Sequence, residues 1–164
     1  KVFIDYGFNV IKNRDKKIDY LVVGFDTSLN YKKLWDAHYL INNGVKYYAT
    51  NPDKVCPLEG GKSMPDCGAI ISLLKTSTGK EPTVIGKPSQ LIIKYISEQY
   101  SIDKKHISMV GDRLYTDIKM ANKSGINSVL VLTGETKKED LKNAEIKPNY
   151  VLDNVTKIIN EISR

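Results

Sequence analysis

The sequence predicts an α/β fold in which parallel strands alternate with helices. Three observations support this prediction. Short β-branched and apolar runs alternate along the chain with segments whose apolar residues recur at helical spacing. The 164 residues are 41% hydrophobic and 27% charged, which is ordinary for a protein with a packed core. Polar residues able to carry chemistry follow two of the apolar runs, where open α/β sheets place their ligand sites.

The first half of the chain predicts two strands and two helices. Gly44 is placed to end the first helix in the left-handed conformation, and the second helix is predicted to end at Gly79. Proline, aspartate and a Gly-Gly pair between the second strand and the second helix predict a long loop there. In order, the predicted elements are a strand over 19–25, a helix over 30–43, a strand over 46–50, a loop over 51–64, and a helix that begins at Pro65 and buries Ala69, Ile70, Leu73 and Leu74.

The second half repeats the alternation of helix and strand. Thr116 is a candidate N-cap, and Gly125 a candidate helix end. The predicted elements are a helix with a buried stripe of Leu91, Ile92, Tyr95 and Ile96, a strand over 107–110, a helix from Thr116 to Gly125, strands over 128–132 and 150–152, and a last helix with Val155, Ile158, Ile159 and Ile162 on one face.

Composition excludes several classes of function. No apolar run approaches the roughly 18–20 residues of a membrane span, and no signal peptide is recognised, so we expect a cytoplasmic protein without a membrane partner. The net charge is +6, but the lysines alternate with acidic residues and form no basic run with interleaved aromatics, so no nucleic-acid partner is expected. Cys56 and Cys67 lack the spacing of a zinc or redox motif.

Two short motifs carry the chemistry. Gly111-Asp112-Arg113-Leu114-Tyr115-Thr116-Asp117-Ile118 follows an apolar run, so Asp112 and Asp117 would lie at the carboxyl end of a strand. Lys87, in Gly86-Lys87-Pro88-Ser89, follows a second apolar run. One ammonium and two carboxylates suit a phosphate held beside a hard cation such as Mg²⁺.

These motifs together resemble the haloacid dehalogenase superfamily of phosphatases, and in particular its p-nitrophenylphosphatase and phosphoglycolate phosphatase family. Three further segments agree with that family and occur in the same order. They are Val22–Asp26, similar to the first strand of its large cap domain, Ala49–Asp53, similar to its cap loop, and Val129–Gly134, similar to the strand and turn after the Gly-Asp motif.

The resemblance implies a fold and an organisation. We expect a partial, Rossmann-like parallel-sheet core together with an α/β cap domain. Residues 1–82 would form most of the cap and residues 83–164 the C-terminal half of the core. The resemblance also implies a possible homodimer through the cap.

The resemblance implies an activity as well: Mg²⁺-dependent hydrolysis of small-molecule phosphate monoesters, of the phosphoglycolate or p-nitrophenyl phosphate type, through an aspartyl-phosphate. Lys87 would bridge the nucleophile and the phosphate and would also bind substrate. Asp112 and Asp117 would serve the metal, and Asn51 and Asp53 in the cap loop would contact the substrate.

One departure from the family is large. Its nucleophile lies in an Asp-x-Asp-Gly motif that this chain lacks, because Asp5 and Asp26 follow apolar runs but have Gly7 and Ser28 in place of the second aspartate. We therefore expect that the nucleophile is not in this chain. Strand 107–110 should pair with strand 128–132 on one side only, and its other edge should be bare or filled by residues 1–10 or by another molecule. The alternative is a catalytically inactive, cap-bearing binding module. A phosphate-accepting receiver domain fits less well, because its single sheet has no place for residues 19–80.

Overall fold

The computed structural model describes residues 2–11, 14 and 16–158 of the chain. Its two compact units meet in sequence between Ile85 and Gly86. Each unit contains a three-stranded parallel sheet, which confirms the predicted α/β class. No helix among the described residues is both long and apolar enough to cross a membrane.

The first unit is built on a sheet with the strand order β1-β2-β5. Its core contains Val23, Ile41, Ala49, Cys67 and Leu74, contributed by two strands and two helices. The elements of this unit are α1 (Val2–Asp5), β1 (Tyr20–Val23), α2 (Tyr31–Asn42), β2 (Lys46–Ala49), β3 (Val55–Pro57), β4 (Ser63–Pro65), α3 (Cys67–Thr78) and β5 (Thr83–Val84).

The predicted long loop over 51–64 is wrong in part, because it contains a hairpin. Strands β3 and β4 pair antiparallel, with Cys56 opposite Met64, and a short 3₁₀ turn over Glu59–Gly61 joins them. Each strand has three residues and ends in proline, so the pair shows neither the length nor the alternation that predicts a strand.

The helix ends of the first unit follow local capping chemistry. Asn30 caps α2 by accepting a hydrogen bond from the Lys33 N–H, and Asp66 accepts one from the Cys67 N–H at the start of α3. The second helix therefore begins at Cys67 rather than at Pro65. The helix ends at Gly79, as predicted, and this glycine adopts the left-handed conformation. Leu74 is fully buried, whereas Leu73, also predicted to face inward, is exposed.

The second unit is a parallel sheet with the strand order β6-β7-β8. Ile93, Met120, Ala121 and Ile126 form its buried cluster. The elements are α4 (Leu91–Tyr100), β6 (Ser108–Gly111), a π-helical turn (Leu114–Ile118), α5 (Lys119–Ser124), β7 (Asn127–Val131) and β8 (Tyr150–Leu152).

Three predictions for this unit need correction or lie outside the structure. The buried residue of α4 is Ile93, while Leu91, Ile92 and Tyr95 are exposed. Thr116 lies inside the π-helical turn, which begins two residues earlier, so it is not an N-cap. The predicted last helix includes Ile159 and Ile162, which lie outside the described residues.

Candidate functional site

The end of β6 is built around Gly111, where the backbone has no room for a side chain. A Cβ at this position would lie 2.4 Å from the Cβ and Cγ atoms of Asp117. The π-helical turn that follows brings Asp117 back against this glycine, and the Asp117 side chain is only 2% exposed. π-helical turns occur frequently at functional sites. Gly111 therefore gives Asp117 its place at the strand end.

Lys87 and Asp117, predicted from separate motifs, meet in the second unit. Lys87 Nζ lies 2.6 Å from Asp117 Oδ1, and the lysine side chain remains 48% exposed. The contact is an ion pair; Asp117 Oδ1 has no aligned hydrogen-bond donor among the described residues. The other carboxylate oxygen, Oδ2, accepts a hydrogen bond from the Arg113 N–H at 3.2 Å. A buried carboxylate thus holds a half-exposed ammonium.

Asp112 is half-buried, and the turn that follows β7 holds its side chain in place. Its Oδ2 accepts a hydrogen bond from the Glu135 N–H at 2.8 Å, and its carbonyl accepts one from the Thr136 N–H at 3.1 Å. A Cβ on Gly134 would lie 2.0 Å from Asp112 Oδ2. The turn can approach the carboxylate this closely only because residue 134 is glycine.

Asn51 and Asp53 lie in the first unit, in the segment after β2. Asn51 Oδ1 accepts a hydrogen bond from the Asp53 N–H at 3.0 Å, which is the geometry of an Asx turn around Pro52. The start of α3 packs directly on this turn: the Gly68 N–H donates to the Asp53 carbonyl at 2.7 Å, and a Cβ on Gly68 would lie 2.2 Å from the Pro52 carbonyl oxygen. The turn is therefore rigidly supported.

The two aspartates that only partly match the missing Asp-x-Asp-Gly motif occupy ordinary positions. Asp5 ends the short helix α1 and is exposed. Asp26 lies 2.7 Å from Lys33 Nζ and accepts hydrogen bonds from Ser28. The hydrogen bond from Lys33, followed by those from Ser28, lowers the pKa of Asp26 to about 2. Asp26 therefore organises the entry to α2.

Comparison with known proteins places this geometry in a family. The sequence model of HAD-hydrolase-like proteins matches residues 84–158. The crystal structure of a 4-nitrophenylphosphatase from Thermotoga maritima superposes with a TM-score of 0.88 at 43% identity, covering 97% of this chain and 60% of that one. A p-nitrophenyl phosphatase from Archaeoglobus fulgidus gives a TM-score of 0.81 at 35% identity, with 87% and 56% coverage.

The segment over residues 84–158 belongs to the haloacid dehalogenase-like hydrolases. A curated relative, an acid sugar phosphatase from Staphylococcus epidermidis, is 38% identical over 154 residues, which are 94% of this chain and 59% of the relative. The chain thus spans about three fifths of the length of such relatives. The predicted superfamily is confirmed, and these relatives are phosphatases by name.

The magnesium ion that this superfamily implies can be tested against the residues present. Asp112 supplies a hard oxygen ligand, because its Oδ2 accepts from the Glu135 N–H while no hydrogen bond to its Oδ1 is found within the described residues. In Asp117, by contrast, Oδ1 is ion-paired with Lys87 and Oδ2 accepts from the Arg113 N–H. Within the described part of the chain no group of three acidic, histidine or cysteine side chains could hold a metal. Mg²⁺ commonly binds through one or two carboxylates, with water and substrate phosphate completing its coordination shell. The carboxylate of Asp112 is therefore a chemically suitable ligand for this ion.

The sequence relates Val129–Gly134 to the strand and turn of the family but predicts no role at the site for this turn, for Glu135 or for the Arg113 side chain. In the structure Arg113 Nε lies 2.7 Å from Glu135 Oε2. A signal was available, because β7 is the parallel neighbour of β6 and the carboxyl ends of such strands share one edge of the sheet. The pairing of the two side chains could not be inferred from spacing.

Proposed function

We propose that this chain forms the lysine- and carboxylate-bearing part of a Mg²⁺-dependent phosphatase for small phosphate monoesters. The observation that carries the proposal is the ion pair between Lys87 Nζ and Asp117 Oδ1, 2.6 Å long, next to the strand end that carries Asp112. Membership of the haloacid dehalogenase-like hydrolases and the names of the relatives support it.

The geometry suits the approach of a phosphate dianion. Asp117 is buried and Lys87 is half-exposed, so the ammonium is fixed at its inner side and can donate toward a ligand. A fixed cation stabilises the charge that develops during phosphoryl transfer at no cost of reorganisation. Asp112 would hold the metal through Oδ1, and Mg²⁺, when bound, neutralises phosphate charge. The resemblance implies an aspartyl-phosphate, whose nucleophile we place outside this chain.

The first unit would act as the cap that selects the leaving group. We propose that the Asx turn of Asn51 and Asp53 contacts the substrate, which its rigid seat on α3 supports. Among the relatives are an acid sugar phosphatase and a 4-nitrophenylphosphatase, so phosphorylated sugars and p-nitrophenyl phosphate are the substrates to test first. The family resemblance adds phosphoglycolate to this set.

We also propose a homodimer through the first unit, in the cytoplasm. Three aromatic side chains lie one turn apart on α2 and are exposed: Tyr31 (82%), Trp35 (57%) and Tyr39 (48%). An exposed aromatic row of this kind supports a protein contact there. The cytoplasmic assignment rests on the two free cysteines, since reducing compartments keep thiols unpaired.

An inactive, cap-bearing binding module is the second candidate. The engagement of Asp26 by Lys33 and Ser28 favours it, because a carboxylate held by these contacts is poorly suited to act as a nucleophile. Such a module would bind phosphate esters through Lys87 without hydrolysing them.

A fusion protein tests the phosphatase proposal. The chain is joined to the part of the Thermotoga 4-nitrophenylphosphatase that it does not cover, and hydrolysis of p-nitrophenyl phosphate is measured across a Mg²⁺ titration. Lys87→Ala should lower kcat by about 10²-fold or more, because a preorganised cation is lost. Asp112→Asn should raise the Mg²⁺ concentration required. The exposed Lys94, on α4, provides the control Lys94→Ala, which should leave the rate unchanged.

The unfused chain is the second control and should hydrolyse nothing above background. Turnover by the unfused chain that Asp5→Asn or Asp26→Asn abolishes would contradict the placement of the nucleophile outside it. A fused Lys87→Ala protein with the parent rate would show that the lysine assignment is wrong.

A further inference from the structure

Arg113 and Glu135 form an ion pair that no step of the proposed function uses. Arg113 Nε lies 2.7 Å from Glu135 Oε2, and the two side chains are 21% and 45% exposed. Partly exposed pairs of this kind contribute little to stability, about 0–1 kcal/mol. Any role of this ion pair must therefore come from the groups that Arg113 and Glu135 hold in place.

Both residues of the pair also hold a site carboxylate through their backbone. The Glu135 N–H donates to Asp112 Oδ2 at 2.8 Å, and the Arg113 N–H donates to Asp117 Oδ2 at 3.2 Å. The side-chain ion pair closes this arrangement, because it ties the turn after β7 to the residue that directly follows Asp112. Neither Arg113 nor Glu135 needs to touch substrate to affect the site.

We propose that Arg113 and Glu135 are positioning residues whose ion pair keeps the turn over Gly134–Thr136 against Asp112, so that Oδ2 is engaged and Oδ1 is left for the metal. This inference rests on the proposed function, since it assigns the metal to Asp112. Its physical basis is that groups hydrogen-bonded to a metal-binding side chain orient it and tune its affinity.

Simple electrostatics makes a different prediction, and this allows a decisive test. Removing the negative charge of Glu135 should weaken binding of a cation nearby, whereas removing the positive charge of Arg113 should strengthen it. If the ion pair acts by positioning, the loss of either partner weakens binding. The two single variants therefore separate the explanations by the sign of one effect.

The experiment uses the 164-residue chain and Mn²⁺ as the probe, with binding followed by water proton relaxation. Arg113→Met and Glu135→Gln should each raise the Mn²⁺ dissociation constant by about 10-fold. Both should also speed hydrogen exchange of the Glu135 amide, measured by NMR. The exchanged pair, Arg113→Glu with Glu135→Arg, should restore both values toward those of the parent chain.

The ion pair between Lys75 and Glu81, in the first unit, supplies matched controls. Lys75→Met and Glu81→Gln remove the same charges and should change neither Mn²⁺ binding nor exchange of the Glu135 amide. Effects of opposite sign in the two site variants, or no effect on either measurement, would overturn the inference.

Asp112→Asn separates this inference from the proposed function. If that variant binds Mn²⁺ as the parent does, the proposed metal site is wrong. If it abolishes binding while the ion-pair variants change nothing, the metal site stands and only the positioning role fails. If the parent chain binds no Mn²⁺, the metal assignment to this chain is contradicted, and unchanged exchange of the Glu135 amide in the two variants would contradict the positioning role as well.

Discussion

Two glycines decide where the carboxylates of the site can lie. At Gly111 an added Cβ would fall 2.4 Å from Asp117, and at Gly134 it would fall 2.0 Å from Asp112. Both separations are far below any contact that real atoms make, so each glycine is required by close approach rather than by an unusual backbone angle. The motif Gly-Asp thus has a steric meaning: the glycine makes room for the aspartate six residues later.

Replacing Gly111 with alanine should push Asp117 away from Lys87. We expect Gly111→Ala to lower the free energy of unfolding by about 1–3 kcal/mol, as overpacking typically does, and to lower the rate of the fused enzyme. Urea unfolding followed by circular dichroism, together with the p-nitrophenyl phosphate assay, measures both effects.

Gly24 provides a control for that substitution. Its added Cβ would lie 3.1 Å from the Thr50 hydroxyl, a small side chain at the surface that can move. Gly24→Ala should therefore cost less than Gly111→Ala. Equal losses from the two substitutions would show that contact with Asp117 is not what Gly111 avoids.

At the scale of the element, a buried serine joins three parts of the second unit. Ser128, on β7, is fully buried, and its hydroxyl donates to Asn122 Oδ1 of α5 at 2.8 Å and accepts from the Asn149 N–H at 2.9 Å. The Ser128 N–H donates to Asn149 Oδ1 at 2.9 Å. These bonds fix the approach of the chain to β8, since Asn149 directly precedes that strand.

Ser128→Ala should therefore destabilise the protein more than its small change in volume suggests. It removes the hydrogen bonds that the buried Ser128 hydroxyl makes with Asn122 Oδ1 and with the Asn149 N–H, which costs about 0.5–1.5 kcal/mol in the free energy of unfolding. Ser108→Ala, at an exposed position of β6, is the matched control and should change it by less than about 0.5 kcal/mol. Thermal and urea unfolding of the two variants should differ accordingly; equal stabilities would refute the role of this network.

The elements that sequence reasoning predicted well are those with an unambiguous local signal. Strand 150–152 was predicted with its observed bounds, and Gly79 and Gly125 end their helices with positive φ angles. The face of α4 was not predicted correctly, because residues 91–93 are all apolar and helical spacing alone cannot choose among them. The contact of Ile93 with Met120, Ala121 and Ile126 makes the choice, and that is a property of the tertiary structure.

In the candidate site, too, local sequence signals predicted one part of the arrangement and the tertiary structure decided the rest. The residue types and the strand-end placement of Lys87, Asp112 and Asp117 followed from two short motifs, but which carboxylate pairs with the lysine did not. The structure pairs Lys87 with Asp117 and gives Asp112 to the turn after β7. That choice depends on the π-helical turn and on the absence of a Cβ at Gly111, neither of which has a signature in spacing.

At the scale of the whole molecule, β6 has a free edge. It pairs with β7 along its full length, with Val110 opposite Val129, and with no other strand of the described residues, as the sequence predicted. Val110, on β6 itself, is exposed, and so are Leu91, Ile92 and Tyr95 on α4 of the same unit. Folded proteins normally cover a strand edge of this kind. We propose that the segment carrying the nucleophile covers it, and this places the nucleophile's strand beside the one that carries Asp112.

Hydrogen exchange should reveal this edge directly. In the chain alone, the β6 amides that point away from β7 have no partner strand and should exchange faster than the amides of β7, which is paired on both sides. When the part of the Thermotoga 4-nitrophenylphosphatase that the chain does not cover is added in trans, the exposed β6 amides should become protected. The amides of β8, the opposite edge of the same sheet, serve as the internal control and should not change. Protection of β6 equal to that of β7 before the addition, or protection of β8 instead of β6 after it, would contradict the proposed position of the nucleophile's strand.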